Sequence, residues 1–399
     1  MTSAKDGIPG IPGEDGSRLL QNVSLAGSDV VADLTLRDGN ITAINAGSGE
    51  AEWVCLPPLA DLHVHANRAF TPSDSRPKGL EDAARQVASV FASFTADDYH
   101  RHAEMLIRAA YAKGTTRIRT HADVSTSVGL DAVIGSLRAA QAWAGVVDVE
   151  VVAFASSSGD PAAAKGQELL REAVSIGAHY LGAAPAFCGD QAASIDAVLE
   201  LAVELAVPVD LHLDEHLDPG NSYSEHLANA TLERGLQGRV TLGHACAISA
   251  LAPRDCARVV ERLAEAEIAV IALPRTNLYL QDAGNHTPKL RGITAVRELI
   301  AAGVAVRFAS DNVRDAFYPY GDADLLGVAM DGILATQLDE TSTIVAMICD
   351  GRDSVAEGDN TNAVLLRGSG IDAVLASPPS ERWLVDPAGL KRAGGKFVA

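Results

Sequence analysis

From residue 57 to residue 311 the chain alternates short apolar β-like runs with amphipathic helical patterns, and few folds accept such text. The β runs are 59–65, 116–123, 148–156, 179–186, 208–215, 239–245, 268–274 and 304–311. Between them, residues 97–112, 130–144, 162–176, 194–205, 224–234, 254–266 and 294–302 place apolar side chains at helical spacing. Thr95 is the expected N-cap of the first of these helices and Gly114 its stop. Eight β runs with interleaved helices predict a (β/α)8 TIM-like barrel rather than a doubly wound sheet.

The text outside that block is different. Residues 20–23, 31–36 and 41–44 alternate as strands, and Arg37-Asp38-Gly39-Asn40 supplies a hairpin turn. Three strands do not make a stable domain alone. Their partners are expected at the other end, in 363–366, 373–375, 382–385 and 395–398. The chain then divides into 1–56 and 351–399, which together form a small β-sandwich domain, and a catalytic barrel at 57–350. Residues 7–16 repeat glycine in a collagen-like triplet too short for a triple helix and read as a flexible leader.

A net charge of −20 argues against nucleic acid and anionic membrane as partners. No run approaches the ~20 apolar residues of a membrane helix. Residues 1–17 lack the apolar core of a signal peptide. Five scattered cysteines without a CxxC pair read as reduced thiols. A cytoplasmic location is the expectation.

In a barrel, chemistry gathers at the C-terminal ends of the strands. The first run ends His63-Val64-His65, and side chains two apart on a strand share a face. Alone, that pair fits an exposed edge strand as well as half a metal site. The other runs end in His121-Ala122-Asp123, His212-Leu213-Asp214-Glu215, Gly243-His244 and Ser310-Asp311-Asn312. His63, His65, His212 and Asp311 form a set suited to one divalent metal per chain, Zn2+ or Fe2+, with Mn2+ also compatible. Glu215 is placed to carry protons, and His244 is a second acid–base candidate. His121 and Asp123 either hold ligands in orientation or form a polar barrel layer.

This ordered set resembles the amidohydrolase superfamily, and within it the cytosine deaminase-like branch. The resemblance spans nearly the whole chain, from the histidine pair through Arg119-Thr120-His121-Ala122-Asp123 to Tyr318-Pro319-Tyr320-Gly321. It implies that His63, His65, His212 and Asp311 bind one metal. It further implies that Glu215 protonates a ring nitrogen while His244 and Asp311 assist attack of water on an amine-bearing carbon. Many binuclear barrels of this kind carry a carbamylated lysine on the fourth strand; residues 178–187 contain no lysine, which favours a single metal. Relatives often assemble, so a homo-oligomer is expected by resemblance only.

The chain also departs from cytosine deaminase. Ser156 stands where that enzyme places a glutamine, Asn312 where it has a second aspartate, and Phe317 where tryptophan is usual. Serine lacks the paired donor and acceptor of an amide. Arg68 replaces the lysine of aminotriazine-processing relatives; it either clamps a substrate carbonyl or carboxylate, or pairs with Asp74 or another nearby acid. The expected activity is metal-dependent hydrolysis of a non-peptide C–N bond in a small nitrogen heterocycle, most simply deamination, with poor turnover of cytosine. Cleavage of an N-alkyl aminotriazine or a cyclic amide is the alternative, and an inactive binding barrel is the alternative of another class.

Overall fold

The computed structural model describes residues 8–393, apart from 29, 74, 92, 360, 361, 387 and 388. The barrel strands are β1 (Leu59–Val64), β2 (Thr115–Val124), β3 (Asp148–Ala155), β4 (Tyr180–Ala183), β5 (Val209–Leu213), β6 (Val240–His244), β7 (Ala269–Ala272) and β8 (Val306–Phe308). They pair in sequence order, and the pairings are parallel. The ring closes between β1 and the end of β8 by a bridge of Val64 with Asp311. The Asp311 amide donates to the His63 carbonyl at 2.9 Å, and the His65 amide donates to the Asp311 carbonyl at 3.1 Å. Closure of the barrel therefore brings the two ends of the predicted ligand set together through backbone alone.

The first helix of the expected alternation runs Ala96–Tyr111 behind a reciprocal capping box of Thr95 and Asp98. It buries Tyr99, Ala103, Leu106, Ile107 and Ala110 at three- and four-residue spacing. Thr95→Ala removes the hydroxyl that donates to the Asp98 carboxylate at 2.8 Å and accepts from the Asp98 amide at 3.4 Å. It is expected to cost about 1 kcal/mol of stability, read as a lower urea midpoint at unchanged slope.

Strands from both chain ends form one mixed sheet, as a barrel with a small composite domain requires. Trp53–Leu56 is its junction, parallel to Arg18–Leu25 and antiparallel to Val364–Arg367. Alternation decides what each face covers. Val54, Leu56, Val364 and Leu366 join the barrel's core. Cys55 and Leu365, between them in sequence, join the small domain's own core with Leu20, Leu34 and Trp383.

Three expectations change. Residues 373–375 belong to a helix, Ile371–Ala376, because three apolar residues fit either element and Gly370 opens a helical turn here. The glycine triplet is not a free leader. Ile11–Pro12 pairs with Arg18 and Leu19, and Gly10 and Gly16 take the positive φ values of 87° and 82° that this hairpin needs. An additional helix, Leu80–Phe91, stands between β1 and the capped helix, outside the expected alternation. The run at 395–398 lies outside the described residues. No helix among the described residues is long and apolar enough to cross a membrane.

Candidate metal centre and active site

The strand ends converge on a buried polar cluster. His63 Nε2 lies 3.1 Å from His212 Nε2, and His65 Nε2 lies 3.0 Å from the same atom. His65 Nε2 is 3.5 Å from Asp311 Oδ1. A tetrahedral ion with bonds of about 2.0–2.1 Å holds neighbouring donor atoms about 3.3 Å apart. These distances are of that size. The ligand atoms that lie within 4.8 Å of one another are those of His63, His212, His244 and Asp311, and His65 meets this set at His212 and Asp311.

The donor chemistry fits a cation. Asp311 is 1% exposed, yet neither of its carboxylate oxygens has a hydrogen-bond partner. Burial pushes its carboxyl up to about 7, opposed by Arg68 and the nearby Thr276 hydroxyl and reinforced by Asp315 and Asp61. A buried carboxylate without a donor is costly unless a cation or proton satisfies it. Burial, reinforced by neighbouring positive charge, holds His63, His65 and His212 well below the ordinary imidazole range, which keeps them neutral, the form in which an imidazole can bind a cation.

The backbone is bent to present these groups. Ser157, Asp214, His244 and Asp311, at four strand ends, take positive φ values of 49°, 56°, 71° and 58°. Such strain gathers at functional sites. Gly243 faces the cluster for a steric reason: a Cβ there would sit 2.5 Å from His63 Cε1.

Of the two acids ending β5, Asp214 turns back to accept from the Tyr223 amide at 2.8 Å and serves the next loop. Glu215 enters a cavity of about 230 Å³ that also reaches His65, His212, His244 and Asp311. Burial, and then the nearby Asp311 charge, push the Glu215 carboxyl well above the usual carboxylate range. Its Oε1 is 3.5 Å from His244 Nδ1. Burial lowers His244 to about 3.

The other residues expected at the site divide. Arg68, Asp123, Ser156, Asn312 and Phe317 all line the cavity. Arg68 stacks 4.8 Å over Phe317 and lies 3.5 Å from Asp123, and its Nε, which makes no hydrogen bond, lies 3.7 Å from Asp315. Asp74 lies outside the described residues. Asp123 accepts from Asn67 Nδ2 at 2.8 Å and forms part of the cavity wall. His121 instead stands behind His63, with ring centres 4.1 Å apart.

Several residues join the site that the sequence pattern does not nominate. Ala84, Val87, Ala88 and Phe91 of the Leu80–Phe91 helix form an apolar side of the cavity. A signal for that helix exists, since Ala83, Val87 and Phe91 recur at four-residue spacing behind Glu81 and Asp82. Asn277 approaches His244 Nδ1 at 3.0 Å from a short helix begun by Pro274. Thr294 Oγ1 donates to the His244 carbonyl. No sequence spacing marks these last two.

Comparison with known proteins places the chain among relatives. The chain is 31% identical over 370 residues to a pterin deaminase of Rhizobium rhizogenes, covering 88% of this chain and 83% of that one. It is 26% identical over 394 residues to the N-isopropylammelide isopropyl amidohydrolase of Pseudomonas sp. strain ADP, covering 93% and 94%. The structure of 5-methylcytosine deaminase from Klebsiella pneumoniae, liganded with 5-fluorocytosine, superposes with a TM-score of 0.79 at 27% identity, covering 89% and 92%. The profile described as the amidohydrolase family matches residues 87–349. With most of its length so matched, and its histidines and aspartate gathered at the barrel's strand ends, this chain belongs to the amidohydrolase family and is a hydrolase of non-peptide C–N bonds.

Proposed function

We propose that His63, His65, His212 and Asp311 hold one divalent cation and that the enzyme deaminates an amino-oxo nitrogen heterocycle of the pterin type. The observation that carries this is the donor spacing of 3.0–3.5 Å beside a buried carboxylate with no aligned hydrogen bond. When bound, the cation supplies a water acid enough to serve as nucleophile near neutral pH. Glu215 holds a proton at its carboxyl and passes it to the ring nitrogen beside the amine carbon. The water oxygen replaces the amine on that carbon; one water proton restores the Glu215 carboxyl and the other leaves on the amine as ammonia. His244, fixed by Asn277, lines the same wall and orients the incoming group. Zinc and iron both suit this ligand set.

The pocket walls support an amino-oxo ring. Arg68 and Asp123 offer a donor and an acceptor on one side, and Ser156 offers a hydroxyl. The pterin deaminase relative points to the same substrate class. A second reading, release of an alkylamine from a triazine, draws on the isopropylammelide relative, and the product separates the two. Aminopyrimidines, pterins, aminotriazines and cyclic ureas incubated with the purified protein are expected to show ammonia release from a pterin, with little turnover of cytosine. Alkylamine release with no ammonia from any pterin would favour the second reading. Efficient turnover of cytosine would contradict the specificity assigned here.

Arg68 is assigned to a substrate oxygen. Arg68→Ala is expected to raise KM about tenfold or more, the value of one or two charge-assisted hydrogen bonds, with metal content unchanged. Unaltered KM and kcat would reduce Arg68 to an ion-pair partner of Asp123 and Asp315.

A further inference from the structure

Beneath the proposed metal centre lies a second polar layer that no part of the reaction uses. Asp210 is on β5, two residues before His212, and is fully buried. Its Oδ2 accepts from Arg119 Nη1 at 3.0 Å. Its Oδ1 lies 3.1 Å from His121 Nε2 and 3.8 Å from His63 Nδ1. All three of those atoms are buried, and none has an aligned hydrogen-bond partner. One is a carboxylate oxygen and two are imidazole nitrogens, so donors and acceptor are complementary. His63 meanwhile turns its other nitrogen, Nε2, toward His212.

A second cation among His63, His121 and Asp210 is the competing account, since their ligand atoms lie within 4.8 Å of one another. Arg119 argues against it. Its guanidinium already sits on the same carboxylate and is held there by Glu150 at 3.0 Å and the Tyr180 hydroxyl at 2.7 Å. A metal ion placed beside it would meet a fixed positive charge.

We propose that Asp210, braced by Arg119 and shared with His121, is a positioning residue that keeps the proton of His63 on Nδ1 and so presents Nε2 to the metal. This rests on the reading of His63, His65, His212 and Asp311 as the metal centre. The physical reason is electrostatic: at 3.8 Å the Asp210 oxygen is past hydrogen-bond reach of His63 Nδ1, but a buried carboxylate facing one ring nitrogen favours the tautomer with its proton there and makes the imidazole a better ligand. The device is built from the fold. The two-residue period of β5 puts Asp210 on the same face as His212, one layer deeper in the barrel.

The test is metal affinity, measured by titrating Zn2+ into metal-free protein against a competing chelator. Asp210→Asn keeps the shape and an oxygen for Arg119 but removes the anion. It is expected to weaken Zn2+ binding about 10–100-fold while the wild type takes up one ion per chain. The visible absorption of the Co2+-loaded variant is expected to shift, because His63 becomes a poorer ligand. A purely structural role would lower the melting temperature of the metal-free protein and leave both readouts unmoved. Should Asp210→Asn fail to fold, His121→Gln carries the same measurement, with an expected loss of about tenfold. Wild-type uptake of one ion with unchanged affinity and spectrum in the variant overturns the inference alone. Two ions per wild-type chain, one of them lost in Asp210→Asn, also overturns it. A wild-type protein that binds no ion overturns the site reading and this inference with it.

Discussion

Glu215→Gln is expected to lower kcat by about 10²–10⁴-fold, with KM within a few-fold of wild type and the metal retained. The substitution keeps size and hydrogen bonding and removes only the capacity to carry a proton. Glu215 has the properties a shuttle requires. Its carboxyl sits in the cavity, burial raises its affinity for a proton, and its partner His244 stands 3.5 Å away. The neighbouring Asp214 is the built-in contrast: its oxygens are taken by the Tyr223 and Ser224 amides, so it serves the loop and has no free edge for substrate. Steady-state kinetics together with metal analysis of the same sample checks this. A variant within tenfold of wild-type kcat would remove Glu215 from the chemistry.

Asp311→Asn is expected to abolish metal retention and lower kcat/KM by several orders of magnitude, because the acidified water is lost with the ion. Asparagine tolerates the left-handed backbone that Asp311 adopts at φ 58°. Barrel closure is also spared, since Asp311 bonds β1 through its amide and carbonyl. A second outcome separates metal ligation from a structural role. In the metal-free protein the Asp311 carboxylate is buried with no donor, a state that costs several kcal/mol when charged. Metal-free Asp311→Asn is therefore expected to melt no lower than metal-free wild type in calorimetry. A clear fall in melting temperature, with metal still bound, would make Asp311 a structural residue.

How far the sequence reaches depends on which residues carry the information. The alternation of β runs and helices is long and periodic, so the barrel is legible, and the histidines at the run ends mark the cluster by their placement alone. The spacing of three imidazoles and a carboxylate is not in the sequence; it comes from closure of β8 onto β1. Short elements fail for a physical reason. Trp53–Leu56 is four residues before a Pro-Pro pair and offers too little pattern to identify, although it joins the two chain ends. Residues 373–375 carry apolar side chains but no period, and their helix is decided by packing of Ile371, Val374 and Leu375. Asn277 and Asp210 are polar residues with no local signal, and only the fold places them against His244 and His63. His121 and Asp123 share one strand end in the sequence, yet β2 and its neighbours send one behind His63 and the other to the cavity wall.

The most direct test is an anomalous-scattering map of crystals grown from metal-loaded protein. A single peak is expected about 2.0–2.2 Å from Nε2 of His63, His65 and His212 and from an Asp311 oxygen. A peak centred instead among His63, His121 and Asp210, or a well-ordered cluster with no peak in it, would contradict the metal centre assigned here.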